Sequence, residues 1–331
     1  MTLVADVGAE PGLFSGRRLA RRERVTIAII IGVACGLAAA IAFAMQPELQ
    51  ARDFTYWWRG ARALLAGQNP YDVIRPTGAY PFESWFMYPL TAPIAALPLA
   101  LLRVQLAGSL FVAIGAGLFT YVLSENGMGR LWLLLSAPFG LSIVLGQWAP
   151  LLIAAAFLTP LAWLLTCKPI GLALFIARPS RRAAALCAAM VALTFVVEPT
   201  WLADWIRNAG TVVGHRAPAL HPVGAVALLA FLRWRQPEGR LVGAMALIPQ
   251  NLYFYDQLPL LLVARSGRAA FTFAVLSWAA WGVTSMRCDN SFFCGKAAEM
   301  PVLALLYLPA TVAVLFDTKV FSWISRRWSS R

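Results

Sequence analysis

Charged side chains are scarce in this sequence. They make up 13% of its 331 residues, whereas 60% of the residues are hydrophobic. A soluble domain of this length carries about 25% charged residues, because its surface has to be hydrated. The shortage excludes an ordinary soluble enzyme. It predicts an all-α, polytopic transmembrane helical bundle with no separate soluble domain.

Histidine is scarcer still, and the common cofactor motifs are missing. Only two histidines occur, His215 and His221, and no group of His, Cys and Asp residues has the spacing of a zinc site. The sequence contains neither a Walker phosphate loop nor a Gly-x-Gly-x-x-Gly turn between a strand and a helix. We therefore expect no cofactor and no metal. Both histidines are predicted to be loop residues, with a catalytic role as the alternative.

The basic residues lie in short clusters between apolar runs. The net charge of +13 suggests nucleic acid at first, but this arrangement is typical of the positive-inside rule, so we expect no nucleic-acid partner. The clusters are residues 17–24, 178–182, 233–240, 265–268 and 326–327. All are predicted to be cytoplasmic. The basic N-terminus (1–24) and the basic tail (318–331) then both lie inside.

The apolar runs predict one transmembrane domain over residues 25–317, with about 10–12 spans that include short or re-entrant helices. The first run, 25–45, has roughly 21 residues and is about 31 Å long as a helix, so it is predicted to be an uncleaved anchor rather than a signal peptide. Further spans are predicted near 86–102, 104–124, 131–145, 148–166, 168–177, 183–198, 219–232, 241–264, 269–286 and 299–317.

Segment 241–264 starts and ends on the same side in this count. It must therefore be a re-entrant pair of half-helices or two short spans. Its middle, 249–259, has two prolines with Asn, Gln and Asp, and such backbone is tolerated only against protein or a water-filled cavity. An acid at that depth marks a functional site, which predicts a role for Asp256. The alternative is that Asp256 caps the returning half-helix.

The cysteines divide into two groups. Segment 287–298 lies outside in this count, where Cys288 and Cys294 could form a disulfide. The other three, Cys35, Cys167 and Cys187, lie in or beside apolar runs and are predicted to be small core residues.

The first external loop, 51–72, has helical periodicity. Aromatic and apolar residues fall on one face: Phe54, Trp57, Trp58, Ala61, Leu64 and Leu65. Polar and basic residues fall on the other: Arg52, Tyr56, Arg59 and Arg62. This pattern predicts a helix that lies in the membrane interface, and Gly67 is expected to end it.

Asp53 precedes the first turn of this predicted helix. Aspartate is a favoured N-cap, so capping alone explains its presence. A capping carboxylate is also held in one orientation, which suits catalysis. Arg59 and Arg62 could hold a lipid phosphate close by, and the aromatic rings could support a sugar or a prenyl chain.

The stretch DFTYWWRGARALLAGQNPY (53–71) resembles the first-loop signature of glycosyltransferase family 87. Four later stretches are similar to motifs of that family and follow in the same order, so the resemblance covers roughly residues 25–265. They are FMYPLTAPIAALPLALL (86–102), LGQWAPLLIAAAFL (145–158), KPIGLALFI (168–176) and YFYDQLPLLL (253–262).

The resemblance implies a fold of the GT-C type and a bacterial inner-membrane enzyme. It would transfer a sugar, commonly mannose, from a polyprenyl-phosphate donor to the hydroxyl of a glycolipid or glycan acceptor outside the membrane. Asp53 would be the general base of an inverting displacement. Arg59, Arg62, Lys168 and Arg216 are candidates to stabilise the leaving phosphate. The expected substrate-binding residues are Arg59, Arg62, Tyr71, Gln147, Lys168, Tyr255 and Asp256.

The sequence departs from the family pattern at two motifs. Pro89 is followed by Leu90 where the family has paired prolines, and 146–149 lacks the family's Asn. The span count also places Gln147 near the cytoplasmic side, away from Asp53. Either that count is off by a hairpin, or Gln147 has a packing role.

Two other functions remain as alternatives. One is a non-catalytic membrane subunit derived from the family, which the lost Asn favours. The other is a transporter of lipids or small molecules, because a broken helix with polar residues such as 251–256 suits transport. A transporter predicts inverted repeats, and the interfacial helix has no evident counterpart after residue 165.

Overall fold

The first apolar run forms helix α1 (Arg21–Met45), which lies antiparallel to α5 (Val104–Leu123). The structure, a computed structural model, describes residues 19–211, 215–288 and 295–316. A Cβ atom on Gly32 would lie 2.7 Å from the carbonyl oxygen of Ala113 in α5. Small residues therefore let the two backbones approach closely, as is common between helices in membranes.

The described residues are helical, with no β-strand among them and one isolated bridge between Arg216 and Gln250. The remaining α-helices are α2 (Phe54–Leu65), α3 (Pro70–Val73), α4 (Thr91–Ala96), α6 (Ala137–Leu145), α7 (Ala149–Phe157), α8 (Ile170–Ala177), α9 (Arg181–Val197), α10 (Trp201–Ala209), α11 (Pro222–Ala225), α12 (Pro237–Leu247), α13 (Gly267–Ser285), α14 (Gly295–Val302) and α15 (Leu308–Leu315). Shorter 3₁₀ helices are Pro47–Leu49, Leu97–Leu99, Ser124–Asn126, Met128–Leu135, Thr159–Cys167, Pro218–Leu220, Val226–Arg233 and Phe254–Val263, and Leu303–Tyr307 is a π-helix.

Three helices in the described part of the chain are long and apolar enough to cross a membrane: Arg21–Met45, Val104–Leu123 and Lys296–Leu315. The number rises to five if each of two bent helix pairs forms one span. Several of the other segments predicted as spans are divided into shorter helices. The all-helical class is thus confirmed for the described residues, and their long apolar helices suggest a membrane protein.

The predicted span 148–166 is one of these divided segments, and here the span count is wrong. Helix α7 is followed after Leu158 by the 3₁₀ helix Thr159–Cys167, which turns back and packs against it. Pro160 breaks the segment because it has no backbone N–H to continue a helix. The two ends of the segment, Gln147 and Lys168, therefore meet, with Lys168 Nζ 3.1 Å from Gln147 Oε1. Gln147 is not at the opposite end from Asp53.

Helix α12 and the 3₁₀ helix Phe254–Val263 form a hairpin, joined by the extended residues 248–253. Its open end is fixed by an ion pair in which Arg265 Nη2 lies 2.8 Å from Glu238 Oε2. The chain thus enters and leaves this hairpin on one side of the bundle. The bridge between Arg216 and Gln250 holds the tip of the hairpin at the other side.

Arginines gather at the open end of this hairpin. Arg130 donates to the carbonyl of Leu262 at 3.0 Å, and Arg240 donates to the carbonyl of Ala177 at 2.7 Å. Arg24 joins the same end, because it donates to Tyr121, just before the segment that contains Arg130. The bundle therefore has a basic end, and α2 and the hairpin tip lie at the opposite end.

Two short amphipathic helices lie away from the basic end. The predicted helix after Asp53 is α2, and Gly67 follows it with a positive φ of 67°. The predicted faces need correction, because Tyr56 is buried whereas Leu65 is exposed. The second helix is α10, which the sequence reasoning missed. It follows α9 after a bend of 97°, so α2 does have an amphipathic counterpart after residue 165.

The structure describes four of the five cysteines. Cys35, Cys167 and Cys187 are free, and Cys167 is buried, while the other two are half-buried. Cys288 is disulfide-bonded, and Cys294 lies outside the described residues, as do the first 18 residues and the basic tail from residue 317.

Candidate active site

Asp53 lies at the N-terminus of α2, but its side chain does not cap that helix. The Thr55 hydroxyl of the first turn accepts from the backbone N–H of Ala51, which precedes the helix. The Asp53 carboxylate accepts a hydrogen bond from the side-chain amide of Gln147. The capping explanation for Asp53 is therefore wrong, and its carboxylate is directed into the bundle.

Burial raises the pKa of the Asp53 carboxyl from 3.8 to about 6. The positive charge of Lys168 and the hydrogen bond from Gln147 both act in the opposite direction, and the charge of Asp256 adds to the increase. A carboxyl with this pKa is mostly ionised at neutral pH and remains a better base than an exposed aspartate.

Gln147 reaches Asp53 because of a tight turn between α6 and α7. Gly146 ends α6 in the left-handed conformation, with a φ of 64°, which an L side chain adopts only with strain. A Cβ atom there would also lie 3.0 Å from the Cβ of Phe54. The glycine thus allows Gln147 to approach the start of α2, and Gln147 itself is buried.

Lys168 links Gln147 to a second acid. Its Nζ lies 2.6 Å from Asp256 Oδ1 and donates to Gln147 Oε1 at 3.1 Å. The side chains of Lys168 and Asp256 are only 10% and 3% exposed. Asp256 lies in the first turn of the 3₁₀ helix but does not cap it, so the capping explanation fails here too. Asp53, Gln147, Lys168 and Asp256 form a continuous row, which we call the polar row.

Aromatic rings surround the polar row. Lys168 Nζ lies 4.8 Å from the ring centre of Tyr255 and 5.8 Å from that of Tyr88. Trp57, one turn of α2 beyond Asp53, has its ring centre 4.9 Å from that of Tyr88 and 5.3 Å from that of Trp148. The indole N–H groups of Trp57 and Trp148 are buried and find no acceptor within the described chain. Buried donors of this kind are rare and call for an explanation.

Five of the predicted site residues are thus brought together: Asp53, Gln147, Lys168, Tyr255 and Asp256. Of the other four, Arg216 forms the backbone bridge with Gln250 at the hairpin tip, and Arg59, Arg62 and Tyr71 are engaged elsewhere. Arg59 faces Phe82 and Gln50, and the exposed Arg62 stacks on Trp58 and points to the carbonyl of Ala100.

Tyr71, the third, is a core residue. It is fully buried against Phe86, and its hydroxyl donates to the carbonyl of Tyr88 at 2.8 Å. Its contribution to the site is therefore indirect, through the backbone that carries Tyr88.

Sequence reasoning missed two aromatic residues of the site, Tyr88 and Trp148. Both lie inside stretches that carry the family resemblance, next to Pro89 and Gln147, so the signal was present but was not attached to these two residues. His215 was predicted to be a loop residue, and it is exposed in a loop. It is nevertheless close enough to interact electrostatically with Asp256 and Lys168.

Within the described residues, no three His, Cys, Asp or Glu side chains form a group that could hold a metal ion. Comparison with known proteins adds nothing to the geometry: no family model, no curated protein and no solved structure matches the chain. The resemblance to glycosyltransferase family 87 stays a prediction from the motifs.

Proposed function

We propose that this protein is a membrane glycosyltransferase of the GT-C type. It transfers a sugar, mannose in the family it resembles, from a polyprenyl-phosphate donor to an acceptor hydroxyl outside a bacterial inner membrane. The observation that carries the proposal is the polar row. Residues from four of the five motif stretches meet at one place although up to about 200 positions separate them in the sequence.

Asp53 is the general base in this proposal. Its carboxylate takes the proton from the acceptor hydroxyl while that oxygen attacks the anomeric carbon from the face opposite the phosphate. Inversion in one displacement needs one base and no nucleophile of the protein, unlike retaining hydrolysis with its paired carboxylates. Gln147 holds the carboxylate in place by its hydrogen bond.

Lys168 is the cation best placed to stabilise the leaving phosphate. The polar row links it to Asp53, whereas Arg59 and Arg62 are turned toward other groups. A lipid phosphate diester carries one negative charge, and a charge-assisted hydrogen bond from an ammonium group stabilises it without a metal. Asp256 holds the Lys168 ammonium until the phosphate arrives.

The aromatic residues suit an amphiphilic, oxygen-rich ligand. Sugar rings present C–H faces that pack on aromatic rings, and the unpaired indole N–H groups of Trp57 and Trp148 can donate to hydroxyl or phosphate oxygens. A prenyl chain requires an apolar path, which the exposed leucine and isoleucine side chains of the bundle offer at the lipid boundary.

The proposal is tested by incubating the purified protein, in a membrane mimic, with radiolabelled polyprenyl-phosphate mannose and a bacterial lipid extract as acceptor. We expect label to move from the donor to an acceptor glycolipid. The new bond should have the configuration opposite to that of the donor. Retention of configuration, or no consumption of this donor and of other polyprenyl-phosphate hexoses, would contradict the proposal.

Transfer should depend on pH through Asp53. The base works only when ionised, and its pKa is about 6, so kcat/KM should fall about tenfold between pH 7 and pH 5. Folding favours the protonated form of this carboxyl. The contribution of this protonated carboxyl to the free energy of unfolding is therefore present below about pH 4 and is lost as the pH rises through 6. Over the same pH range, activity is expected to rise because the carboxyl ionises.

The variant Gln147→Leu removes a hydrogen bond that stabilises the ionised carboxylate, so the acid limb of the kcat/KM profile should move to higher pH. A profile that stays flat down to pH 4.5 would remove Asp53 from the role of the base. If the acid limb of the kcat/KM profile did not move in Gln147→Leu, the hydrogen bond from Gln147 would not set the pKa of Asp53.

Transport is a second candidate, favoured by the buried ion pair that Lys168 makes with Asp256 of the broken hairpin. With the labelled donor and the protein reconstituted in sealed vesicles, a transporter would move the intact lipid across the bilayer without releasing sugar. A non-catalytic subunit would bind a partner complex and leave the donor unchanged.

A further inference from the structure

Segment 84–88 is irregular and ends at Tyr88. Side chains from other elements donate hydrogen bonds to its carbonyl groups. The Tyr56 hydroxyl of α2 contacts the carbonyl oxygens of Ser84 and Trp85. The Tyr71 hydroxyl of α3 donates to the carbonyl of Tyr88 at 2.8 Å. An irregular segment cannot satisfy its own carbonyls as a helix does, so these external donors fix its path.

Helix α10 supplies the two remaining donors. The Asn208 side-chain amide donates to the carbonyl of Phe86 at 3.2 Å and to that of Tyr71 at 3.1 Å. The indole N–H of Trp205 donates to the carbonyl of Met87 at 2.7 Å. Asn208 is 1% exposed, and a buried amide with two acceptors permits little rotation.

Every carbonyl from Ser84 to Tyr88 is thus contacted by a side chain from outside the segment. The consequence reaches the site through the last residue. The ring of Tyr88 lies between Trp57, at 4.9 Å between ring centres, and Lys168, at 5.8 Å from Nζ to the ring centre. A shift of the segment would move this ring away from the ammonium group.

We infer that α10 is a positioning helix for Tyr88, and that Asn208 and Trp205 are the positioning residues. This inference rests on the proposed function for its effect on catalysis, because Tyr88 faces the polar row. The hydrogen bonds of the inner face of α10 join it to Asn69, Tyr71, Phe86 and Met87, none of which belongs to that row. The helix acts on the backbone that carries the aromatic ring.

The sequence of α10 fits this two-sided role. Trp201, Asp204, Trp205 and Asn208 recur at spacings of three and four and form the inner face, in which Trp205 is half-buried and the other three are buried. Asp204 completes the attachment by accepting from the Asn69 side chain at 3.1 Å, next to Tyr71. On the opposite face, Leu202 and Ile206 are exposed, so this helix can lie at the membrane interface while its other face holds the loop.

The chain offers a matched pair of variants for the test. Trp205→Phe removes an indole N–H that is bonded to Met87, whereas Trp201→Phe makes the same chemical change where the indole N–H has no acceptor among the described residues. Asn208→Leu keeps the size of the side chain and removes both of its hydrogen bonds. Hydrogen–deuterium exchange of the peptide 82–90 and the kinetics of sugar transfer are measured for each.

We expect faster exchange in 82–90 and a roughly tenfold lower kcat for Trp205→Phe and Asn208→Leu, while Trp201→Phe resembles the unaltered protein. A tenfold loss of kcat corresponds to an activation free energy that is higher by about 1.4 kcal/mol. In a Tyr88→Leu background, Asn208→Leu should cause no further loss of kcat, because it acts through Tyr88.

Unchanged exchange in both Trp205→Phe and Asn208→Leu would overturn the inference, and so would additive losses of kcat with Tyr88→Leu. Exchange is measured without substrate. If the unaltered protein transfers no sugar but the variants still show faster exchange, the proposed function is contradicted and the positioning of 84–88 remains supported.

Discussion

Replacing Asp53 by Asn is expected to lower the rate of sugar transfer about 10³-fold, within the range that general-base catalysis contributes. The amide has the same shape as the carboxylate, and its carbonyl oxygen can still accept the hydrogen bond from Gln147. It cannot take a proton from the acceptor hydroxyl. The loss should therefore lie in kcat, with the KM for the lipid donor changed little.

A matched control is available in the same loop. Asp72→Asn makes the same chemical change at a side chain that is 65% exposed, with its nearest cation, Arg207, 3.7 Å away. Exposed pairs of this kind contribute little, so its transfer rate should equal that of the unaltered protein. If Asp53→Asn transferred sugar at the rate of Asp72→Asn, the protein would not use Asp53 as a base.

Folding of the Asp53 variant is the second control. The amide removes a buried charge, so its thermal unfolding midpoint should equal or exceed that of the unaltered protein near neutral pH. A lower midpoint would mean that the charge of Asp53 stabilises the fold, and a loss of activity could then no longer be assigned to proton transfer alone.

Much of the architecture could be predicted from the sequence because the signals are local. The length and apolarity of 25–45 predict α1, the face pattern and Gly67 predict α2, and the basic flanks of 241–264 predict a segment whose ends lie together. Each depends only on nearby residues, which is where periodicity and capping act.

The prediction failed where one proline changed the path of the chain. The span 148–166 is long and apolar enough to cross a membrane, but Pro160 divides it and the second half turns back. The predicted span 86–102 failed as well, because it is divided into short helices and its end lies beside α2, where the Trp58 indole N–H donates to the carbonyl of Leu99. That error precedes residue 147 and reversed the predicted side of Gln147. Helix α10 was missed for a related reason: a helix of nine residues gives a weak periodic signal, and its buried face becomes evident only when 69–88 lies against it.

The same limit applies to the side chains of the site, whose contacts depend on residues that are far apart in the sequence. Asp53 and Asp256 were predicted individually, from an acid at a membrane boundary and an acid in a broken helix. Nothing in their spacing showed that Lys168 lies between them. These residues meet only after the chain has turned between α6 and α7, after Leu158 and at the hairpin tip. Tyr88 is a comparable case, since its position depends on donors from α2, α3 and α10.

Lys168→Met is expected to cause the second large effect, and here stability changes together with activity. The variant leaves Asp256 buried without its cation, and breaking a buried ion pair from one side typically costs about 3–5 kcal/mol. The thermal unfolding midpoint in detergent should fall, and transfer should be lost because the leaving phosphate has no ammonium group to stabilise it. An unchanged midpoint would contradict the buried pair at 2.6 Å.

The double variant Lys168→Met with Asp256→Leu separates the two effects. Replacing both members of a buried pair by apolar side chains of similar volume is often neutral or stabilising, so the midpoint should return to that of the unaltered protein. Transfer should not return, because the restored fold still has no cation at the polar row. If the double variant transferred sugar at the original rate, Lys168 would be a structural partner of Asp256, and another group would have to stabilise the leaving phosphate. His215, which interacts electrostatically with Asp256 and Lys168, would then be a candidate.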